Sequence, residues 1–263
     1  NIAVVGAGPA GLAASTSLAQ RGHTVTLFES SDQIGGQFNI AKQIPGKEEF
    51  NETIRYFNRK IETTGVELKL NTEADANGLS GFDEVVLATG IKPRELSIEG
   101  VNHSKVLSYL DVLVEKREVG KKVAIIGAGG IGFDVAEYLT QTGEATSQNL
   151  PAFLEEWGID DTNEARGGIE GIEPKREVPA REVFLLQRKE TKVGAGLGKT
   201  TGWIHRLTLK NRKVQMINAV DYQKVDDDGL HIIQDGESRV LDVDNVIICA
   251  GQISNNQLQG ELV

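Results

Sequence analysis

Residues 1–11 read NIAVVGAGPAG, and residues 122–132 read KVAIIGAGGIG. In each segment a continuous apolar run, typical of a parallel strand covered on both faces, leads into glycines spaced as GxGxxG. A glycine turn between a strand and a helix is the phosphate-binding corner of a Rossmann-type βαβ unit. The two segments therefore predict an α/β chain with two Rossmann-like dinucleotide-binding domains.

Two further pairs of segments repeat in the same order along the chain. VTLFE (25–29) resembles VFLLQ (183–187), and DEVVLATG (83–90) resembles DNVIICAG (244–251). Three matches in one order are much harder to obtain by chance than one, and they indicate an internal duplication.

The spacing within the two copies differs at one place. Glu29 follows the last glycine of the first turn by 29 − 11 = 18 positions. Gln187, its counterpart, follows the last glycine of the second turn by 187 − 132 = 55 positions. The excess predicts an insertion in the second copy, which we place at residues 144–181, with a short helix over 152–157.

The repeats also predict how the domains follow one another. We expect a first domain over residues 1–110 and a second, inserted into the first, over 111–250. Residues 251–263 are expected to turn back to the first domain. Two Asp-Gly steps at 228–229 and 235–236 lie between β-rich runs, so they predict hairpin turns and a small antiparallel β meander in the second domain.

The first glycine turn has the chemistry of a dinucleotide site. Gly6 permits the tight turn, Gly8 has no side chain to block a pyrophosphate, and Gly11 lets the helix approach the sheet. Glu29 ends the next strand, where a carboxylate can accept hydrogen bonds from ribose hydroxyls. The pattern therefore predicts dinucleotide binding rather than a merely structural turn.

The second turn is formed by Gly127, Gly129, Gly130 and Gly132. Its next strand ends with Gln187, followed by Arg188 and Lys189, where the first copy has a carboxylate. A carboxylate would repel the 2′-phosphate of NADP, whereas an amide beside two cations would not, and charge-assisted hydrogen bonds would favour it. The pattern favours NADPH over NADH; the alternative is a basic strand end that faces water.

Composition narrows the possible partners. The formal charge is 28 − 38 = −10, which argues against nucleic acid or an anionic membrane as the main partner. No apolar run reaches the roughly 20 residues that span a bilayer, and no signal peptide is visible. The chain enters a strand directly after Asn1, so we expect a piece of a longer cytoplasmic protein.

Several weaker signals indicate no additional site. The run GAGLGKT (194–200) lacks the first glycine of an ATPase phosphate loop, although Lys199 could contact an NADP phosphate. The single Cys249 excludes an intrachain disulfide or a multi-cysteine metal site and is expected to be a packed small residue. No metal-ligand spacing is shown by the four histidines, His23, His103, His205 and His231.

Longer segments carry a resemblance to a known family. The combination of GAGPAG, Glu29, LATG, GAGGIG and ICAG resembles the two-dinucleotide flavoprotein reductases of the FAD/NAD(P)-binding superfamily. More specific segments resemble bacterial NADPH-dependent 2,4-dienoyl-CoA reductases, which belong to the NADH:flavin oxidoreductase family with trimethylamine dehydrogenase-like organisation. These segments are IGGQFNIAKQIPGKEEF (34–50), VLSYLDVL (106–113), LLQRK (185–189), GLGKTTGWIHR (196–206) and IICAGQ (247–252).

The resemblance implies a cofactor for each domain. FAD would be bound by the first domain through Gly6, Gly8, Ala10, Gly11, Glu29, Gly36 and Gln37, with Thr89 and Gly90 near the flavin. NADPH would be bound by the second domain through Gly127, Gly129, Gly130, Gly132, Arg188 and Lys189, with Ala250 and Gly251 closing the pocket. Neither set includes a catalytic acid or base or a metal ligand.

The resemblance also implies the reaction. In that family the back half passes a hydride from NADPH to FAD. Electrons then pass through a 4Fe-4S cluster to FMN in an N-terminal barrel, which reduces 2,4-dienoyl-CoA in unsaturated fatty acid β-oxidation. The expected partners are accordingly NADP(H) and this FMN/iron–sulfur barrel.

This sequence departs from the family pattern at its C-terminal end. It has ISNN (253–256) where the family has an acidic-Pro-Asn turn. Only 263 − 251 = 12 residues follow Gly251, and they do not include the strand and helix with which the family returns to the FAD domain. One cysteine excludes a thioredoxin-reductase-like redox pair. A non-catalytic NADP(H)-binding module without flavin remains an alternative.

Overall fold

The computed structural model describes residues 1–262 and confirms an α/β chain built on parallel sheets. The strands are β1 (Ile2–Val5), β2 (Val25–Phe28), β3 (Glu67–Lys69), β4 (Glu84–Leu87), β5 (Ile91–Pro93), β6 (Val106–Ser108), β7 (Lys122–Ile126), β8 (Glu182–Leu186), β9 (Gln215–Ile217), β10 (Val220–Asp226), β11 (Gly229–Gln234), β12 (Glu237–Leu241), β13 (Asn245–Ile248) and β14 (Gln252–Ser254). The helices are α1 (Pro9–Gln20), α2 (Gln37–Ala41), α3 (Phe50–Thr64), α4 (Ala76–Leu79), α5 (Tyr109–Leu113), α6 (Gly130–Thr140), α7 (Leu150–Trp157), α8 (Gly202–Asn211) and α9 (Gln257–Leu262).

Two compact units divide the described chain. The first contains Asn1–Gln43, Lys47–Lys92 and the described residues from Gln252 onward, and the second contains Ile44–Gly46 and Pro93–Gly251. The domain limits expected after residues 110 and 250 stay predictions. No helix within residues 1–262 combines the length and apolar character needed to cross a membrane.

The first unit is built on a parallel sheet with strand order β3-β2-β1-β4. Val5 pairs with both Phe28 and Leu87, so three strands reach their carboxyl ends at the same level. Helix α1 starts with Pro9 in its first turn, where the missing N–H costs nothing, and the chain leaves it through Gly22 at a φ of 93°. The sheet and α1 thus bring the first glycine turn to the carboxyl edge.

The second unit repeats this arrangement in a five-stranded parallel sheet with the order β6-β13-β7-β8-β9. Ile126 pairs with both Leu186 and Ile248, as Val5 does with its neighbours in the first unit. Buried apolar residues of this sheet form one cluster with those of β10, β11 and β12, which make the predicted antiparallel meander. The duplication seen in the sequence is therefore a duplication of sheet topology around each glycine turn.

One of the two Asp-Gly steps forms the predicted hairpin turn, and at the other the turn is shifted by one residue. Asp235 and Gly236, with φ values of 52° and 81°, form the two-residue turn between β11 and β12, as predicted. At the other step the turn is one residue earlier, because Gly229 already pairs with Asp226 as the first residue of β11. A Cβ on Gly229 would lie 2.1 Å from the Leu241 oxygen, so this glycine is needed for close strand approach.

The insertion contains the predicted short helix. Helix α7 begins after Asn149, whose side chain accepts a hydrogen bond from the Ala152 N–H, and it ends at Gly158 in the left-handed conformation. Two short 3₁₀ turns, at Thr146–Gln148 and Arg166–Gly168, are the remaining helical structure in the described insertion.

Candidate functional site

The glycines of the first turn differ in how closely the chain is packed around them. Gly6 has a φ of 101°, and a Cβ there would lie 2.4 Å from the Ala88 oxygen. A Cβ on Gly11 would lie 1.8 Å from the Gly6 oxygen, so the helix can only approach the turn without a side chain. At Gly8, by contrast, the nearest atom would be the Gly36 Cα at 4.0 Å. Gly8 therefore leaves open space in front of the α1 N-terminus, as a diphosphate site requires.

The second turn repeats these distances almost atom for atom. Gly127 has a φ of 108°, and a Cβ there would lie 2.5 Å from the Cys249 oxygen. A Cβ on Gly132 would lie 1.8 Å from the Gly127 oxygen. Cβ atoms on Gly129 or Gly130 would have nothing within 4 Å. The second turn thus also presents free space at the N-terminus of its helix, α6.

A cavity of about 590 Å³ lies in the first unit at the carboxyl edge of its sheet, within the range of small-molecule sites. Most of the residues proposed for FAD line it: Gly6, Gly8, Ala10, Glu29, Gly36, Gln37, Thr89 and Gly90. Gly11 is buried and does not line the cavity, in keeping with its packing role. The predicted residues of the first site are therefore brought together in one place.

Glu29 is held by hydrogen bonds to both of its carboxylate oxygens. Its Oε2 accepts the Ala7 N–H at 2.8 Å, and its Oε1 accepts both the N–H and the hydroxyl of Ser31 at 2.9 Å. Burial alone would raise the pKa of Glu29, but the hydrogen bonds from Ser31, Ala7 and Ser30 outweigh it and lower the pKa. Glu29 is thus an ionised, oriented acceptor at the cavity wall.

The IGGQF segment approaches the first turn through Gly36. This residue has a φ of 48° and a ψ of −120°, and a Cβ there would lie 2.9 Å from the Gly8 Cα. Gln37 follows as the first residue of α2. Gly36 and Gly8 are therefore packed closely in the cavity lining, which explains why a glycine is needed at position 36.

Sequence reasoning missed cavity residues that come from two other segments. Thr72, Glu73, Ala74 and Asp75 follow β3, whose pairing with β2 places them beside Glu29. Asn255 lies in the ISNN segment, where its N–H donates to the Gly90 oxygen at 2.9 Å and its oxygen accepts the Thr89 hydroxyl. If the short VELKL run (66–70) had been recognised as a parallel strand beside β2, the first group could have been predicted.

The end of β8 differs from the end of β2. The Gln187 side-chain amide donates to the Lys189 oxygen at 3.0 Å and to the Thr191 oxygen. Its hydrogen bonds are therefore made within the loop that follows β8. Arg188 and Lys189 have exposed side chains, and neither forms an ion pair within residues 1–262. Gln187 therefore occupies the position of the carboxylate of the first unit, and two exposed cations follow it.

Ala250 and Gly251 follow β13, beside the second glycine turn. A Cβ on Gly127 would lie 3.0 Å from the Ala250 Cα. Gly251, with a φ of 99°, accepts a hydrogen bond from the Arg94 N–H through its carbonyl at 3.1 Å. Ala250 is thus packed against the second glycine turn.

Within residues 1–262, one cluster of metal-ligand type occurs, on the hairpin between β10 and β11. Ligand atoms of Asp226, Asp228 and His231 lie within 4.8 Å of one another. Asp226 is already engaged by His231 at 2.8 Å and by Lys224 at 2.7 Å, and the Asp228 N–H donates to it at 3.0 Å. These bonds account for the cluster as an ion-paired turn.

The two glycine turns and the paired parallel sheets define the class of FAD/NAD(P)-dependent oxidoreductases. The chain matches the model of the pyridine nucleotide-disulphide oxidoreductase family over residues 1–262 and belongs to that family. Its one cysteine, Cys249, is buried, and burial raises the pKa of the thiol. The chain alone therefore cannot form the intrachain redox disulfide to which the family name refers.

Curated relatives match almost the whole chain. A metal reductase of Desulforamulus reducens is 28% identical over 98% of this chain and 38% of its own length. A cinnamate reductase of Clostridium sporogenes is 30% identical over 99% of this chain and 34% of its own length. The chain thus spans somewhat more than a third of the length of these relatives.

Two solved structures also match almost the whole chain. A 2-naphthoyl-CoA reductase in complex with 2-naphthoyl-CoA superposes with a TM-score of 0.80 at 28% identity, covering 100% of this chain and 34% of that one. Histamine dehydrogenase from Rhizobium sp. 4-9, at 21% identity and a TM-score of 0.73, shares the fold over 99% of this chain and 37% of its own.

Proposed function

We propose that the first glycine turn binds FAD, that the second binds NADPH, and that the chain serves hydride transfer from NADPH to FAD in a larger flavoprotein reductase. The observation that carries this proposal is the pair of matching turns with opposite charge beside them. A bound flavin would supply the hydride-accepting chemistry, and the protein supplies binding, orientation and exclusion of water.

The first site fits FAD through its own residues. Gly8 leaves room for the diphosphate at the α1 N-terminus, and Glu29 is placed to accept hydrogen bonds from the ribose. Thr89 and Gly90 end the stretch after β4 and line the same cavity, where we place the flavin side. No carboxylate or histidine is assigned a proton-transfer role, because the reaction needs none from this chain.

The second site fits NADPH through Gly129, Gly130 and the two cations. The open glycines admit the diphosphate, and Arg188 and Lys189 offer exposed positive charge for the 2′-phosphate. A carboxylate in the place of Gln187 would oppose that phosphate. We therefore assign the second site to NADPH rather than NADH.

For the complete protein we propose reduction of a 2,4-dienoyl-CoA, in unsaturated fatty acid β-oxidation in the cytoplasm. The long segments in the sequence that resemble 2,4-dienoyl-CoA reductases support this substrate. The similarity to a cinnamate reductase and to a 2-naphthoyl-CoA reductase supports a reductase of unsaturated acids or their thioesters. Electrons would leave for an N-terminal FMN and 4Fe-4S barrel, our proposed partner.

Crosswise glycine variants test the assignment of the two sites. Gly8 and Gly129 have φ values of −76° and −85° with extended ψ, so valine fits both backbones while filling the diphosphate space. Gly8→Val should abolish FAD binding and keep NADPH binding, and Gly129→Val should do the reverse. Gly81→Ala, at a third open position, is the control that should change neither.

The readouts are flavin content, anaerobic bleaching of the flavin by NADPH, and calorimetric binding of each nucleotide. A yellow protein that NADPH bleaches supports the proposal. A colourless protein that binds NADPH and cannot be reconstituted with FAD would contradict it and would favour the non-catalytic module. Loss of NADPH binding on Gly8→Val would show that the two sites are assigned the wrong way round.

A further inference from the structure

We propose that Ser31 is a positioning residue for FAD, because it fixes the Glu29 carboxylate in the orientation that receives the ribose hydroxyls. This inference rests on the proposed function of the first site. It goes beyond that function by naming a residue that lies outside the cavity lining and acts only through Glu29.

The donors around Glu29 divide between its two oxygens. Oε2 has one donor, the Ala7 N–H at 2.8 Å, which ties it to the glycine turn. Oε1 has three: the Ser31 N–H and hydroxyl, both at 2.9 Å, and the Ser30 hydroxyl at 3.4 Å. Oε2 keeps a free lone pair for ribose, whereas the donors on Oε1 occupy that oxygen and hold the carboxylate in its orientation. Ser31 supplies two of the three hydrogen bonds to the Glu29 carboxylate that are 2.9 Å or shorter.

Ser31 is itself held by the neighbouring strand. Its carbonyl accepts the Asn71 N–H at 2.9 Å, and the Glu29 carbonyl accepts the Thr72 N–H at 2.9 Å. The Glu29 N–H donates in turn to the Lys69 oxygen at 2.9 Å. Glu29 and Ser31 are therefore anchored to residues at the end of β3 and just after it. These bonds fix the backbone that carries the Ser31 hydroxyl.

The Ser31 hydroxyl has one proton and two acceptors within reach. Its Oγ lies 2.9 Å from Glu29 Oε1 and 2.8 Å from the Gln33 oxygen. An ionised carboxylate attracts the proton more strongly than a carbonyl does, because charge-assisted hydrogen bonds are the stronger ones. Protonation of Glu29 would let the Ser31 hydroxyl donate to the Gln33 oxygen instead. The orientation of the Glu29 carboxyl group, which accepts from ribose, therefore depends on whether that group is ionised.

Other charged groups surround Glu29 without replacing this bond. Glu73, Asp75 and Glu261 line the same cavity, and Lys69 on β3 lies with its Nζ 5.4 Å from the centre of the Phe28 ring. All four groups are unchanged in a Ser31 variant. A difference in pH profile between that variant and the unchanged chain therefore reports on the hydroxyl.

The test compares Ser31→Ala with two other variants. Ser30→Ala removes the 3.4 Å contact to Glu29 but also changes a residue of the cavity lining, so it serves only for the titration of Glu29. Ser80→Ala changes an exposed serine outside the cavity and is the control for FAD binding. Dissociation constants for FAD are measured by fluorescence quenching across pH. Ser31→Ala should weaken FAD binding about 5-fold at neutral pH and move the acid limb of the affinity profile up by roughly half a pH unit. Ser80→Ala should stay within about 2-fold of the unchanged chain, and Ser31→Thr, which keeps the hydroxyl, should restore affinity.

A second measurement needs no bound flavin. The Glu29 carboxyl is titrated by NMR in the FAD-free protein, where Ser31→Ala should raise its pKa and Ser30→Ala should leave it nearly unchanged. Equal FAD affinity and equal Glu29 titration in Ser31→Ala and the unchanged chain would overturn the inference alone. Failure of the unchanged chain to bind FAD would overturn the proposed function and this inference together.

Discussion

The two glycine turns of this chain share one backbone geometry and differ in the charge that faces it. Gly11 and Gly132 both bring a helix against the turn oxygen, with a would-be Cβ at 1.8 Å in each case. Glu29 ends the second strand of the first unit, whereas Arg188 and Lys189 follow the corresponding strand of the second. Under the function that we propose, glycine geometry supplies the diphosphate site and the residues after the next strand select the nucleotide.

The contrast in charge extends beyond these residues. Among the described residues, four carboxylates line the cavity of the first unit, from Glu29, Glu73, Asp75 and Glu261, and no lysine, arginine or histidine does. Residues 188–199 of the second unit contain four cations and one acid, although the whole chain is acidic. An additional phosphate would be repelled in the first unit and attracted in the second.

The largest expected effect separates the packing glycines from the open ones. Gly11→Ala or Gly132→Ala forces a Cβ against a backbone oxygen, so the turn must shift. We expect each to lose about 3 kcal/mol or more of the free energy of unfolding. Gly8→Ala and Gly129→Ala should cost less than about 1 kcal/mol, because their Cβ atoms enter open space at a helix N-cap.

Chemical denaturation of the four variants checks this order. If all four lost the same stability, the division into packing and ligand-facing glycines would be wrong for both turns. A loss at Gly11→Ala without one at Gly132→Ala would break the equivalence of the two units.

The sequence predicted those features that local geometry dictates. The glycine turns, the α/β class, the helix in the insertion and the turn at Asp235-Gly236 each depend on a few neighbouring residues. The contributions of Thr72, Glu73 and Asn255 to the cavity could not be predicted, because they depend on pairing between strands distant in the chain. Ser31 was missed for a related reason: its importance lies in which oxygen of Glu29 it reaches.

A smaller effect is expected from the cation that we assign to the 2′-phosphate. Arg188→Ala should lower the affinity for NADPH roughly 10- to 100-fold and leave NADH almost unchanged, since only NADPH carries the phosphate. Gln187→Glu should act in the same direction by placing a carboxylate there. Lys210→Ala on α8 is a control of equal charge change.

Binding of both nucleotides is measured by calorimetry at fixed salt. Equal losses for NADPH and NADH on Arg188→Ala would remove the 2′-phosphate assignment and leave a general contribution to nucleotide binding. An unchanged NADPH affinity would support the alternative that this strand end merely faces water.

The helices after the two turns differ at one equivalent buried position. Five residues after the last glycine, α1 has Thr16, whose hydroxyl donates to the Leu12 oxygen at 2.8 Å. Helix α6 has Glu137 there, with its Oε1 2.7 Å from the Nδ1 of His205 on α8. Burial raises the pKa of Glu137, and the nearby His205 only partly offsets that rise. The second unit thus carries a buried titrating group where the first has a neutral one.

The smallest expected effect follows from that raised pKa. The folded chain holds the Glu137 proton more tightly than the unfolded chain, so this residue stabilises the fold at acidic pH, and that contribution is lost as pH rises through the folded-state pKa. Glutamine stays neutral throughout. Relative to the unchanged chain, Glu137→Gln should gain stability from acidic to neutral pH, by less than about 1 kcal/mol. Thr16→Val should show a pH-independent difference in urea unfolding. A stability difference for Glu137→Gln that is flat across pH would mean that the carboxylate is as well solvated by His205 and its surroundings as it is in water.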